Sequence, residues 1–183
     1  MPTRHSRRTG VIEEEEPAEE DETNPKSVYG KTKLSGERLI QNFCKKNKIN
    51  FGILRFFNVV GASPTGKIGQ INRGDQLFKN FAVELKKKKP IFKIYGDNYN
   101  TKDGTCIRDY IHVVDIAEIH LKVLYKIHQL KNSVVLNCGY SKGISVKDVV
   151  EKFKKNTKKK VLIKIFKKRR GDMEKIIANS PKL

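Results

Sequence analysis

The chain has 183 residues and carries 39 Lys and Arg against 20 Asp and Glu, a formal net charge of +19 at pH 7. This length suffices for one domain with its own core, and no apolar run approaches the roughly 20 residues that cross a bilayer, so the composition argues against a membrane partner and predicts a soluble, cytoplasmic protein. The three cysteines lie far apart without a C-x-x-C spacing, which predicts reduced, partly buried thiols and no metal site.

The start of the chain differs in composition from the rest. The run EEEEPAEEDE holds eight of the 20 acidic groups, and such a like-charged block is unable to bury itself, so we expect residues 1–23 to form a disordered segment. Beyond this segment the pattern becomes regular. Apolar residues at helical spacing predict a helix over residues 28–46, and the apolar run FGILRFFNVVG predicts one buried strand over residues 51–61.

The remaining chain alternates between predicted helices and strands. Helices are predicted over residues 76–88, 115–130 and 145–156, the last capped by Ser145, and strands over residues 91–96, 134–139 and 161–166. Loops rich in Gly, Pro and Asn are predicted over residues 61–74 and 99–108. This alternation favours an α/β fold class, without establishing that every strand is parallel.

Tyr29 and Lys33, in the stretch YGKTK, stand four residues apart at the start of the first predicted helix. One helical turn brings residues i and i+4 onto the same face, so the phenol and the ammonium are able to line one cleft. In a chain with 30 lysines the same spacing also arises by chance. The spacing alone leaves both explanations open.

Arg108 is the one arginine in the stretch YGDNYNTKDGTCIRDYIHVVDIAEIH, where it stands directly before an apolar strand. A guanidinium at the mouth of a strand suits bidentate recognition of a phosphate. The alternative is a structural salt bridge from Arg108 to Asp109 or Asp115. The sequence alone does not decide between them.

The excess of positive charge permits binding to nucleic acid, because clustered cations neutralise phosphates. However, Lys outnumbers Arg 30 to nine and is spread over many predicted helices, which is typical of solvated helix faces. No recognition helix, zinc finger or RNP-type aromatic motif accompanies the charge. We therefore expect no nucleic-acid partner.

Five stretches in chain order resemble a known family. YGKTKLSGE is similar to the pattern Y-G-x-S/T-K-x-x-x-E, and RFFNVVGASPTGKIGQ, DGTCIRDYIHVVDIAEIH, NCGYSKGISVKDVV and RRGDMEKIIAN resemble further motifs of UDP-glucose 4-epimerases, which are extended short-chain dehydrogenases/reductases. The resemblance implies a remnant of a Rossmann-like NAD-binding domain over residues 24–62. It also implies a mixed α/β UDP-sugar-binding region over residues 63–183.

The resemblance also implies a reaction, the interconversion of UDP-galactose and UDP-glucose in galactose metabolism. Tyr29 would be the general base that takes the proton of the sugar 4-hydroxyl, and Lys33 would assist it, because a nearby cation stabilises a phenolate. Lys33 would also hold the ribose of NAD, the cofactor that accepts hydride from C4 and returns it to the other face. The family further implies a homodimer.

The substrate contacts implied by the resemblance lie mostly in the C-terminal part of the chain. Arg108 and Arg169 would grip the diphosphate, and Asp172 would accept hydrogen bonds from the uridine ribose. The remaining positions are the sugar contact Asn58, Gln76 where relatives tend to carry Asn or His, the uracil-flanking backbone near Lys93 and Tyr95, and the pocket wall Ile176. The nature of this wall leaves the choice between plain and N-acetylated sugars open.

The chain also departs from the family pattern. It contains no G-x-x-G-x-x-G unit of the kind that binds pyrophosphate, and MPTRHSRRTG does not match the strand that carries a catalytic Ser or Thr. We therefore expect these residues to correspond to the C-terminal half of an epimerase, with weak or no activity alone. Two alternatives stay open, a non-catalytic UDP-sugar-binding remnant and a basic nucleic-acid-binding protein.

Overall fold

A computed structural model describes residues 19, 25, 28–71 and 76–183 of the chain. Most of the N-terminal segment predicted to be disordered, residues 1–23, lies outside the described residues, as does part of the predicted loop over residues 61–74. Among the described residues, none of the helices is both long and apolar enough to cross a membrane.

In the part of the chain that the structure describes, four helices form where apolar residues recur at helical spacing. They are α1 (Val28–Asn47), α2 (Leu77–Leu85), α3 (Val113–Leu130) and α4 (Val146–Lys155). The ends of α3 and α4 are fixed by side chains. His112 accepts a hydrogen bond from the Val114 amide through Nδ1 at 3.2 Å, and the Ser145 hydroxyl accepts one from the Asp148 amide at 3.0 Å. These contacts satisfy amides that have no partner inside the helix.

The described residues form eight strands, which pair into three small sheets. The strands are β1 (Gly52–Phe56), β2 (Asn58–Val60), β3 (Ile91–Tyr95), β4 (Ile107–His112), β5 (Val134–Cys138), β6 (Gly143–Ser145), β7 (Leu162–Phe166) and β8 (Lys175–Ile176). β1 pairs with β5, β3 with β7, and β4 with both β2 and β8, all in parallel. The β4–β6 pair is antiparallel. The α/β fold class predicted from the sequence is confirmed.

The principal core lies where α2 and α4 cover the inner face of β3 and β7. Phe81 and Phe92 are almost completely buried and stack with ring centroids 4.0 Å apart, and Phe153 packs edge-on against both. Val149 and Val150 complete the buried cluster from α4. Because this core fixes β3 and β7, it also fixes the loops that leave their carboxyl ends.

The predicted strand over residues 51–61 is wrong in one respect. The structure divides it at Phe57 into β1 and β2, which belong to different sheets. The Phe57 amide donates to the Cys138 carbonyl at 3.4 Å, the last contact with β5 before the chain turns to pair with β4. Periodicity along the sequence carries no signal for a change of pairing partner.

Other boundaries shift by a few residues. The predicted helix over residues 76–88 ends at Leu85, because Pro90 follows a run of four lysines and because the Glu84 carboxylate accepts a hydrogen bond from the Ile91 amide. The predicted helix over residues 115–130 begins two residues earlier, after the His112 cap. The short strands β6 and β8 were not predicted. Cys44, Cys106 and Cys138 are free and buried.

Candidate functional site

Tyr29 and Lys33 lie next to one another on the first two turns of α1. The Lys33 Nζ is 5.3 Å from the centroid of the Tyr29 ring, and the phenol side chain is 72% exposed. The Tyr29 carbonyl accepts a hydrogen bond from the Thr32 hydroxyl at 2.7 Å, which holds the first turn. An ammonium thus faces a phenol whose ring is accessible to a ligand.

An ion pair that sequence reasoning missed anchors α1 to the sheet. Arg55 on β1 donates to Glu37 through Nε at 3.0 Å and through a terminal nitrogen at 2.8 Å, and both side chains are part-buried. Another nitrogen of Arg55 donates to the Glu19 carbonyl at 3.4 Å. Because a fork-shaped guanidinium fixes direction as well as distance, this pair sets the orientation of the helix that carries Tyr29.

The carboxyl ends of β3 and β7 bring together several predicted substrate contacts. Tyr95 is in register with Phe166, and their ring centroids are 5.5 Å apart. The guanidinium carbon of Arg169 lies 3.9 Å from the centroid of the Tyr95 ring, and Lys93 Nζ lies 5.7 Å from that of Phe166. Two cations therefore lie against two aromatic rings at one edge of the molecule.

Arg108 lies inside β4 and not before a strand as predicted. One terminal nitrogen donates to the Ile107 carbonyl at 2.8 Å and to the Glu174 carbonyl at 3.3 Å, and the residue is in register with Ile176 on β8. Its guanidinium is half-buried and held by backbone oxygens. This arrangement fixes the position of the positive charge without neutralising it.

The salt-bridge alternative for Arg108 is wrong, because the two carboxylates have other partners. Asp109 is completely buried and accepts hydrogen bonds from the Tyr140 amide at 3.0 Å and the Ala178 amide at 3.2 Å. Asp115 accepts a hydrogen bond from the Tyr140 hydroxyl. Among the described residues, no salt bridge joins Arg108 to either carboxylate.

Asp172 lies in a turn that follows β7. Its amide donates to the Arg169 carbonyl at 3.3 Å, and Gly171 in this turn has a φ of 86°, a backbone conformation that favours glycine. The turn therefore carries the guanidinium of Arg169 and the exposed carboxylate of Asp172 as one unit.

Lys168, which sequence reasoning did not single out, ties this turn to the loop before β4. Its Nζ donates to the Asn98 carbonyl at 2.8 Å and lies 4.1 Å from the centroid of the Tyr99 ring. Tyr99 is itself buried, and burial together with its contact to Cys106 raises its pKa. The phenol of Tyr99 therefore stays neutral and serves as packing for the loop.

The other predicted site residues lie on separate elements. Asn58 is the exposed first residue of β2, opposite Tyr110 of β4. Gln76 is the exposed residue before α2 and makes no side-chain cap to it. Tyr29 and Lys33 lie on α1, whereas Tyr95 lies on β3 and Arg169 follows β7. The structure thus brings together two sets of predicted residues, Tyr29 with Lys33 on α1, and Lys93, Tyr95 and Arg169 at the carboxyl ends of β3 and β7.

The chain matches a known protein family over most of its length. The profile described as "NAD dependent epimerase/dehydratase family" matches residues 6–139. A UDP-glucose 4-epimerase of Azospirillum brasilense is 36% identical over 166 residues, which are 90% of this chain and 48% of that protein. One of Dictyostelium discoideum is 38% identical over 87% of this chain and 47% of its own length.

The chain also resembles solved structures of UDP-glucose 4-epimerases. A UDP-glucose 4-epimerase of Stenotrophomonas maltophila, with bound NAD and formylated UDP-arabinopyranose, superposes with a TM-score of 0.83 at 33% identity, over 90% of this chain and 50% of that one. An epimerase of Bifidobacterium longum in complex with NAD+ and UDP gives 0.83 at 31% identity, over 93% and 52%. The resemblance found from the motifs is confirmed, and the chain spans about half the length of the relatives it matches.

Proposed function

The chain belongs to the NAD dependent epimerase/dehydratase family, and we propose that it binds UDP-hexoses and contributes to the interconversion of UDP-galactose and UDP-glucose. The observation that carries this proposal is the Tyr29 and Lys33 pair, in which an ammonium lies one helical turn from an accessible phenol. Galactose metabolism is the corresponding pathway. The three free thiols support a reducing compartment, and we assign the protein to the cytoplasm.

In this proposal Tyr29 moves a proton. Its phenolate oxygen accepts the proton of the sugar 4-hydroxyl as C4 is oxidised, and it returns that proton when the 4-keto sugar is reduced from the opposite face. Lys33 places its positive charge beside the oxygen that becomes negative when this proton is transferred. NAD supplies hydride acceptance and return in both half-reactions.

The residues present suit part of an NAD site. NAD accompanies the two solved epimerases compared above. Here the exposed Tyr29 ring leaves room for a nicotinamide ring and a sugar on its open side, and the Lys33 ammonium offers donors to a ribose. Tyr29 and Lys33 are therefore the residues of this chain that would hold the cofactor.

UDP would be held at the ends of β3, β4 and β7. Arg108 and Arg169 supply positive charge for the diphosphate, and the fixed guanidinium of Arg108 avoids the entropy cost of ordering a free side chain. Asp172 would accept hydrogen bonds from the uridine ribose. The backbone near Lys93 and Tyr95 would flank uracil, Asn58 and Gln76 would contact the sugar side, and Ile176 would form the pocket wall.

We further propose that two copies pair through α1. The outer face of this helix exposes Leu39 at 71% and Ile40 at 48%, which stand four and three residues before Phe43, itself 61% exposed. A helix face of this kind packs against a second helix in a bundle. The pairing would bury apolar surface that is otherwise in water.

The test is a proton NMR time course of UDP-galactose with the purified chain and NAD, following the anomeric signals, together with calorimetric titration of UDP. Conversion to UDP-glucose that Tyr29→Phe abolishes supports the full proposal. UDP binding without conversion would establish instead the alternative of a non-catalytic UDP-sugar-binding protein. Absence of both from a folded sample overturns the proposal.

A further inference from the structure

Two lysine runs that are remote in sequence become neighbours through strand register. Residues 86–89 are KKKK and precede β3, and residues 158–160 are KKK and precede β7. Ile91 pairs with Leu162, and the Leu162 amide donates to the Pro90 carbonyl at 3.0 Å. Lys159 Nζ reaches the Lys87 carbonyl at 3.2 Å. The parallel pairing therefore concentrates seven lysines at the amino ends of the two strands.

The outer face of these strands continues the positive charge. In a parallel pair, residues in register point to the same face, so Lys93 with Lys164 and Tyr95 with Phe166 share the solvent side. Phe92 and Ile94 point to the other side and are buried in the core. We call the solvent side, with the lysine runs before it and residues 167–170 after it, the basic-aromatic face.

The charge of the basic-aromatic face is of one sign. Residues 86–95 and 158–170 together contain thirteen Lys and Arg and no Asp or Glu. Glu84 lies beside the face and pairs with Lys87, which lowers the pKa of that carboxyl together with the hydrogen bond from the Ile91 amide. Asp172, in the turn that carries Arg169, is a second neighbouring acid, and two carboxylates offset only a small part of thirteen positive charges.

Aromatic rings occupy the far end of the face. Phe166 is 40% exposed, its ring lies 5.5 Å from that of Tyr95, and Lys93 and Arg169 flank the two rings. Two five-residue strands extend for about 13 Å, and the lysine runs lengthen the track further. A cationic track that ends on one exposed ring, Phe166, beside the half-buried Tyr95 matches the chemistry of a polymer that carries both phosphates and planar bases.

We propose that the basic-aromatic face binds single-stranded nucleic acid, with phosphates along the lysines and a base stacked at Phe166 and Tyr95. Single strands fit better than a duplex, because only unpaired bases present a ring face to the aromatic side chains. This inference goes beyond the proposed epimerase function, and the far end of the face shares Tyr95 and Arg169 with the proposed UDP site. The sequence predicted no nucleic-acid partner because it holds no contiguous motif, whereas the face arises only from the register of β3 and β7.

The test is fluorescence anisotropy of a labelled oligouridylate of about 12 nucleotides, titrated with the full chain. Lys160→Glu with Lys164→Glu should weaken binding about tenfold and reduce the slope of log affinity against log salt by roughly one to two. Phe166→Leu should weaken binding roughly fivefold while leaving that slope unchanged. Lys160 and Lys164 lie outside the proposed UDP-sugar contacts, whereas Phe166 packs against Tyr95, which flanks the proposed uracil position.

The matched control is Lys122→Glu with Lys126→Glu, which makes the same change of net charge at exposed positions of α3. This variant should keep its affinity within about twofold. Equal loss in both double variants would show attraction by net charge alone and overturn the proposal. The proposal is also overturned if a duplex of the same length binds as tightly as the single strand, or if Phe166→Leu has no effect on affinity. Binding to phosphatidylserine vesicles without binding to the oligouridylate would overturn it as well. Circular dichroism verifies that each variant is folded.

Discussion

Arg169 stacks its guanidinium on the ring of Tyr95, with the guanidinium carbon 3.9 Å from the ring centroid. The contact joins the turn after β7 to the end of β3, two segments that are distant in sequence but adjacent through the β3–β7 pairing. A stacked guanidinium interacts with the ring through its face. The stack therefore fixes Arg169 against an aromatic ring at the ends of β3 and β7.

The first prediction concerns this stack and UDP. Arg169→Ala should weaken UDP binding roughly tenfold, because a charged hydrogen bond to the diphosphate is lost. Arg169→Lys should restore only part of the affinity, since lysine lacks the planar fork. Calorimetric titration measures both. Arg170→Ala, an exposed neighbour, is the matched control, and an equal loss there would contradict a specific role for Arg169.

The second prediction separates catalysis from binding. Tyr29→Phe should reduce turnover of UDP-galactose at least about 100-fold, because the proton acceptor is removed, and Lys33→Met should reduce it through loss of the charge beside the phenol. UDP affinity should not change in either, because the diphosphate contacts lie on other elements. The measurement pairs the NMR assay with titration of UDP. Tyr125→Phe, at an exposed tyrosine of α3, is the control and should be fully active.

The third prediction tests pairing through α1. Leu39→Glu with Phe43→Glu should convert a dimer to a monomer in sedimentation equilibrium, because charges would replace the apolar contact. Leu121→Glu with Leu124→Glu makes the same change on α3, where both leucines are also exposed, and should leave the dimer intact. A monomeric parent chain, or dissociation by the α3 variant as well, would contradict this interface.

Much of the secondary structure follows from the sequence alone, because its causes are local. The helical spacing of apolar residues located α1, α3 and α4, and the Ser145 cap was predicted and is present. Features that depend on which strands pair with one another could not be predicted from the sequence. The break at Phe57, where the chain changes strand partner, and the two- and three-residue strands β8 and β6 leave no periodic pattern.

In the candidate site, too, local contacts could be predicted from the sequence and contacts between strands could not. The spacing of Tyr29 and Lys33 predicted their proximity, since both lie on one helix. The separation of residues along the sequence does not predict the contacts of Arg55 with Glu37, Lys168 with Tyr99 or Arg169 with Tyr95. Those contacts depend on which strands lie side by side. For Arg108 the sequence left two explanations open, phosphate recognition and a structural salt bridge. The structure excludes the salt bridge, because Asp109 and Asp115 accept hydrogen bonds from other partners.

A buried polar link between the loop before β4 and the start of α4 gives the last prediction. The Asp103 carboxylate accepts hydrogen bonds from the Thr105 amide at 2.9 Å, from the Thr105 hydroxyl at 2.7 Å and from the Ser145 hydroxyl. Partial burial acts to raise the pKa of Asp103, but the hydrogen bonds from Ser145 and Thr105 outweigh it and lower the pKa below its usual value. The folded state therefore prefers the ionised carboxylate.

Because its pKa is lower folded than unfolded, Asp103 stabilises the fold above the usual aspartate pKa of about 4, and this contribution is lost as pH falls further. Asp103→Asn should therefore reduce the free energy of unfolding by about 1–2 kcal/mol at neutral pH, and by progressively less below about pH 4. Urea unfolding across this range measures the difference. Asp97→Asn, at an exposed position, should change stability by less than about 0.5 kcal/mol. A difference for Asp103→Asn that stays constant down to low pH would mean that the ionised carboxylate is not what holds this loop.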